Sequence, residues 1–204
     1  MMTSKKTQLE QHQHTLKNCT QCTNMIRPVI TGNAVMSSIM LIGQAPGIHE
    51  GEVQKPFGWT AGKTLFKWFE SIGLAETEFR QNIYMTAVCR CFPGKNKQGG
   101  DRVPSKQEVQ QCSHWLNREF ILLKPALVIP VGKLAISQYI KVNKLNEVIG
   151  SIHQVQHQDI CCDFIPLPHP SGASTWHRTE PGKTLLTKAL KLVQQHPAWQ
   201  QSIK

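Results

Sequence analysis

The sequence predicts an α/β protein: a three-layer α/β/α sandwich around a central, mainly parallel sheet of four to five strands. Three observations carry that prediction. Short apolar runs alternate with helical segments, the order that builds a parallel sheet with crossover helices on both faces. The runs are apolar along their length, as strands buried on both sides are. Three of the loops that leave strand ends hold Gly, Pro and chemically active side chains, and open α/β sheets bind ligands at the carboxyl ends of their strands.

In chain order, residues 3–17 read as a polar helix-like segment, and Cys19 and Cys22 open a loop. Ser38 to Ile42 is an apolar strand that ends at Gly43, and 43–58 is a loop rich in Gly and Pro. Ala61 to Ile72 is helical, with Leu65, Phe66, Trp68 and Phe69 to bury and Gly73 as the stop. Asn82 to Val88 is the second strand. A basic loop over 90–103 precedes a helix over Lys106 to Leu123, where Ser105 and Glu108 form the capping-box pattern. Ala126 to Val131 is a strand, and a helix runs from Gly132 to Ile140. Ser151 to His157 alternates weakly as a strand, and Cys161 to Leu167 is a further one. Pro181 to Gln195 closes the chain as a helix with Pro in its first turn. The stretch 95–102 is the one linker candidate.

The 204 residues fit a single domain over 1–204, with 1–17 as an N-terminal helix or arm. Forty per cent hydrophobic and 18% charged residues exclude wholesale disorder. No apolar run reaches the ~18 residues of a membrane helix. The polar N-terminus lacks a secretory h-region, so a cytoplasmic location is expected. Twenty-three Lys and Arg against 13 Asp and Glu give a net +10. Such a surplus favours polyanions, nucleic acid first and an anionic membrane second. Seven cysteines, an odd number without a signal peptide, point to metal or cluster ligation rather than disulfides.

Three constellations carry chemistry. Cys19-x-x-Cys22 is half of a four-thiolate site, and the rest must come from Cys89, Cys91, Cys112, Cys161 or Cys162. The scattered spacing favours an iron–sulfur cluster over zinc, while Cys161 and Cys162 read as strand residues. The second constellation is the loop from Gly43 to Glu52 with Pro56-Phe57-Gly58. Its glycines let backbone N–H groups approach a ligand, although a structural turn accounts for these residues equally well. The third is His169-Pro170-Ser171, placed to face developing negative charge, followed by a loop holding Trp176, His177 and Arg178.

In their order and spacing these motifs resemble the iron–sulfur uracil-DNA glycosylases, the family 4 and 5 branch of that superfamily. The resemblance takes in the early C-x-x-C, the G-x-A-P-G loop with P-F-G, and the T-x-V-x-x-C strand end. It continues through Cys112, the run from Lys124 to Gly132, and His169-Pro170-Ser171. It implies a [4Fe-4S] cluster on Cys19, Cys22, Cys91 and Cys112, with Cys89 a neighbour. It implies Glu50 and His169 as catalytic, Phe57 stacking on a flipped base, and Gln44, Ala45, Gly47 and Ala87 around that base. Arg90, Lys95, Lys97, Arg102, Ser171, Trp176 and Arg178 are the expected DNA contacts. The implied activity is monofunctional hydrolysis of the N-glycosidic bond of a deaminated base in DNA, uracil first, by a monomer that needs no membrane.

Two positions depart from the family 4 pattern. Gln44 stands where Glu is usual, and Ala87 stands where an Asn reads uracil. Alanine has no side-chain hydrogen bond to offer a base edge, so base selectivity is open. The alternatives are a glycosylase for hypoxanthine or xanthine, a non-catalytic iron–sulfur DNA-binding protein, and a zinc-stabilised nucleic-acid module.

Overall fold

The computed structural model describes residues 4–203. Met1, Met2 and Thr3, the start of the expected N-terminal segment, lie outside the described residues. The rest of that segment is a packed helix, α1 (Lys5–Lys17), which begins where Ser4 Oγ accepts from Thr7 N–H at 3.2 Å. Leu9 and Leu16 bury one face of it, although the helix is polar overall.

Five strands form the sheet: β1 (Ile39–Gly43), β2 (Tyr84–Ala87), β3 (Leu127–Pro130), β4 (His153–His157) and β5 (Ile160–Phe164), in the order β2-β1-β3-β5-β4. β2, β1, β3 and β5 are parallel, and β4 returns antiparallel on the edge. The β4–β5 turn uses Gln158 and Asp159, both at positive φ, as a two-residue hairpin requires. β1 is buried along its whole length because both faces are covered.

The helices divide between those faces. Ile39, Leu41, Leu127 and Ile129 meet α3 (Thr60–Glu70), α4 (Glu76–Asn82), α7 (Gly182–Gln195) and α8 (Pro197–Ser202), whose Phe69, Phe79, Leu190 and Trp199 fill one core. Met40, Ile42, Val128 and Phe164 point the other way, onto α1 and α5 (Lys106–Leu123) through Leu9, Leu116 and Phe120. The three layers are those the sequence predicts.

The capping box of α5 forms as expected: Ser105 Oγ accepts from Glu108 N–H at 3.3 Å, and Ser105 N–H donates to Glu108 Oε2 at 2.7 Å. Elsewhere the boundaries move. A helix, α2 (Ile48–Val53), lies inside the loop expected over 43–58, and α4 and α8 were unmarked in the sequence. The helix after Gly132 is short, α6 (Lys133–Ser137). β5 stops at Phe164, with a single bridge from Val131 to Leu167 prolonging the pairing.

The chain turns left from β1 to β2 and right to β3, which makes the carboxyl end of β1 a topological switch point. Gly43 and Ala87 face each other in register there.

Candidate active site

A cavity of about 590 Å³ opens at that switch point. Gln44, Ala45, Gly47, Glu50, Phe57, Ala87, Lys95, Arg102, His169 and Ser171 all line it, so the structure brings together most of the residues singled out from the sequence.

Phe57 is held in place by its backbone. Its φ is +52°, a conformation that costs a bulky residue free energy unless the surroundings impose it. Arg80 on α4 imposes it, donating from Nη1 to the Pro56 carbonyl at 2.9 Å and from Nη2 to the Phe57 carbonyl at 3.2 Å. Glu76 in turn holds Arg80 Nε at 2.8 Å. Gly43 completes the arrangement, since a Cβ there would sit 3.0 Å from the Phe57 ring. Arg80 is a positioning residue that sequence reading missed. It lies in a helix that the sequence did not mark, and only the fold brings it to the loop.

Glu50 faces the cavity from α2, and both of its carboxylate oxygens are engaged. Oε2 accepts from Gly47 N–H, and Oε1 accepts from Gly58 N–H at 3.2 Å. Burial pushes its pKa above the ordinary carboxylate range, against the pull of those amides.

His169 lines the same pocket. Ser171 N–H donates to its Nδ1 at 3.2 Å, which places the ring proton of the neutral form on Nε2. Burial, together with nearby His177, lowers its pKa, and Asp101 opposes them. The ring fits because residue 132 is glycine, where a Cβ would meet His169 Cδ2 at 3.0 Å.

Asp101 and Asn96 are among the lining residues that were not singled out from the sequence. Both belong to the basic 95–102 stretch, which folds back on itself through a bridge between Lys95 and Asp101. Lys95 Nζ pairs with Asp101 Oδ1 at 2.8 Å. A lone acid in a run of Lys and Arg reads as charge balance; its place in the pocket needs the fold.

Some expected DNA contacts are corrected. Arg90 is 2% exposed, and its Nη2 lies 2.7 Å from Oε2 of fully buried Glu119, so it cannot reach a phosphate. Thr86 on β2 donates to the same Oε2 at 2.8 Å, and His12 Nε2 on α1 lies 3.4 Å from Oε1. Arg102 is committed to Glu108 at 2.6 and 2.7 Å and to the Asn24 carbonyl at 3.1 Å. That anchor fixes the basic loop to α5 rather than offering free charge. Trp176 is half-buried against the core beside Gly182, where its carbonyl leaves no room for a Cβ, so it is not a free wedge. Lys97 and Arg178 are exposed.

Cys19, Cys22, Cys91 and Cys112 line a second cavity, of about 220 Å³, with Arg27 and Arg90. Cys89 is fully buried and hydrogen-bonds to Cys112, and that bond together with Arg90 lowers the Cys112 pKa to about 7 against the effect of burial. Arg90 Nε is buried without an acceptor among the described residues. No three His, Cys, Asp or Glu among the described residues stand at the spacing of a single metal ion.

Fold and pocket define an α/β protein with a cavity at the switch point of its sheet, lined by an aromatic ring, a carboxylate and a histidine. A family model described as the uracil DNA glycosylase superfamily matches residues 30–194, and the chain belongs to that superfamily. It is 26% identical over 165 residues to a type-4 uracil-DNA glycosylase of Pyrobaculum aerophilum, covering 77% of this chain and 80% of that one. A type-4 enzyme of Archaeoglobus fulgidus is 29% identical over 142 residues, 67% of this chain and 66% of its own. A type-5 uracil-DNA glycosylase of Pyrobaculum aerophilum is 28% identical over 127 residues, 57% of this chain and 54% of its own.

Proposed function

We propose that this chain is a monofunctional DNA glycosylase that hydrolyses the N-glycosidic bond of a deaminated base, uracil first, and leaves an abasic site. The observation that carries the proposal is the single pocket that Glu50, His169 and Phe57 all line. A base stacked in a duplex cannot be reached, so it is extruded into the pocket, where Phe57 stacks on it. As the bond breaks, the sugar gains positive charge and the base negative charge. Glu50 supports the sugar cation. His169 donates from Nε2 to the departing base, a preorganised donor worth about 10²–10³ in rate. Gln44 offers the base edge a carboxamide, and Ala45, Gly47 and Ala87 shape the wall around it. Lys97 and Arg178, with Lys95 and Ser171 at the rim, supply phosphate contacts to single- or double-stranded DNA.

Cys19, Cys22, Cys91 and Cys112 would hold a [4Fe-4S] cluster. Four thiols on one cavity and the unpartnered Arg90 Nε, a donor for a sulfur-rich anion, fit such a group. When bound it supplies a rigid cross-link between the loop after α1, the exit of β2 and α5. The protein is proposed to act as a monomer.

The test is base excision by the purified, cluster-loaded chain. Oligonucleotides, single- and double-stranded, carry uracil, hypoxanthine or xanthine. Abasic sites that form with wild type and are lost with Glu50→Gln and His169→Ala are the expected result. DNA binding without cleavage of any base would overturn it. That outcome is the second reading, recognition without cleavage, which Ala87 favours by leaving the β2 wall without a base-reading side chain.

A further inference from the structure

We propose that Trp59, backed by His49, is a stacking platform for the nucleobase next to the extruded one, and that it makes single-stranded DNA the favoured substrate, an assignment that rests on the glycosylase reading above.

Exposure singles this tryptophan out. The chain has five tryptophans, and the other four are buried or half-buried. Trp59 is 48% exposed and belongs to neither core, yet it lines the same cavity as Phe57. Ile48 and Val53 on α2 are 44% and 42% exposed, so this segment presents apolar surface beside the pocket. A lone apolar side chain on a surface needs no explanation, but a group of them next to a ligand cavity marks a contact surface.

The ring is held in place. His49 stacks on it, with ring centroids 4.5 Å apart and planes 29° apart. Glu52 Oε2 lies 3.3 Å from His49 Nδ1 and orients the imidazole. Two glycines fix the backbone on either side. At Gly58 a Cβ would meet Val53 Cγ2 at 2.6 Å and the Lys55 carbonyl at 2.9 Å, and at Gly62 it would overlap the Phe57 carbonyl. Close approach at both positions sets the turn that carries Trp59, whose carbonyl accepts from Lys63 N–H at 3.2 Å. A surface prearranged in this way costs a bound base little ordering free energy.

Continuity with the pocket identifies the occupant. Phe57 stacks on the extruded base, and Trp59 stands two residues further on, its Cα within about 7 Å of that of Phe57. The group that an extruded base brings alongside is the next nucleotide of its own strand. Stacking tolerates any base there, because every base has a π-face. Lys55, beside Gly58, and Lys63, one turn along α3, are exposed cations with no ion pair among the described residues, and they suit the phosphates of that strand. In a duplex the neighbouring base is already paired and stacked, and moving it onto Trp59 costs those interactions. In a single strand its face is free.

The test uses the full, cluster-loaded chain. Affinity is measured for an oligonucleotide with a tetrahydrofuran abasic site, as a single strand, as a duplex, and as single strands that also lack the base on one side or the other of that site. Loss of the base on one side is expected to weaken wild-type binding by about 5–150-fold, the range of one base–aromatic stack. Trp59→Ala should lose as much on the intact strand and then ignore the missing base. Trp59→Phe should keep most of the affinity, and both variants should melt with wild type because the ring lies outside the core. Excision by wild type should favour the single strand, and Trp59→Ala should narrow that preference by a similar factor. A Trp59→Ala protein as sensitive to the missing base as wild type would overturn the assignment. So would equal losses on single strand and duplex, the mark of a wedge inserted into paired DNA, or a wild type that excises faster from duplex. A wild type that excises none of uracil, hypoxanthine and xanthine overturns the glycosylase reading and this assignment together, a result distinct from an active wild type whose binding is indifferent to Trp59.

Discussion

Replacing Glu119 by glutamine should destabilise the protein by about 4 kcal/mol. Glu119 is fully buried and Arg90 is 2% exposed, so the substitution leaves a buried guanidinium without its carboxylate partner. Removing one partner of a buried pair typically costs about 3–5 kcal/mol. The depressed pKa of the carboxylate points the same way. Burial works to raise its pKa, but the Arg90 charge, the nearby His12 and the Arg90 hydrogen bond outweigh it and hold the group at about 2, against 4.5 ordinarily. That shift corresponds to about 3 kcal/mol of stability. Because the folded pKa is depressed, the contribution is fully present above pH 4.5 and is lost as pH falls through 2. For a chain of 204 residues, 4 kcal/mol lowers Tm by about 9 °C. Chemical and thermal unfolding at pH 7 and pH 3 measure both quantities, and the gap between wild type and Glu119→Gln should narrow at the lower pH. The double variant Arg90→Met with Glu119→Leu should be less destabilised than Glu119→Gln alone, because it removes both charges. A Tm shift below about 2 °C for Glu119→Gln, or a gap that does not change with pH, would refute the reasoning.

Other consequences can be measured separately. His169→Ala should lose about 10²–10³ in single-turnover rate. In wild type, excision driven by neutral His169 holds at neutral pH and falls only below pH 6.5, because burial lowers its pKa; the variant should lack that limb. Ala87→Asn should raise the preference for uracil over the next-best base by at least about tenfold, read from the ratio of kcat/KM values, by restoring an amide to the wall. Lys97→Ala and Arg178→Ala should each reduce the log–log salt slope of duplex binding by about 0.9 if each side chain meets a phosphate. Cys91→Ala should lose the visible absorbance of the purified protein, whereas Cys89→Ala, which removes a thiol outside the cavity lining, should keep it.

The strands and the long helices were legible because their signals are local. β1 is an apolar run closed by glycine, and α5 carries its own capping box in Ser105 and Glu108. α2 was not legible, since Ile48–Val53 holds a glycine and no buried residue, and its start depends on Glu50 reaching back to Gly47. The candidate site was legible where one motif supplies both the side chain and its setting, as with His169 and Ser171. Where a distant element supplies the setting it was hidden. Arg80 acts on Phe57 from 23 residues away, and Glu119 meets Arg90 from 29 residues away. Arg90 was misjudged because a positive charge between two cysteines reads as surface, and only the packing of α5 on β2 reveals the buried anion beside it.

The exit of β2 is fastened on both sides of one unfastened position. Thr86 and Arg90 share the same carboxylate oxygen, and Cys91 lines the cysteine cavity, while Ala87 between them carries no side-chain bond. Substitution at 87 can therefore alter what the pocket reads while the supports of the frame stay in place. Base preference becomes a trait that drifts by single codon changes, without the compensating mutations that a core position demands. A small library at 87 and 44 should yield catalysts of differing selectivity from one stable scaffold.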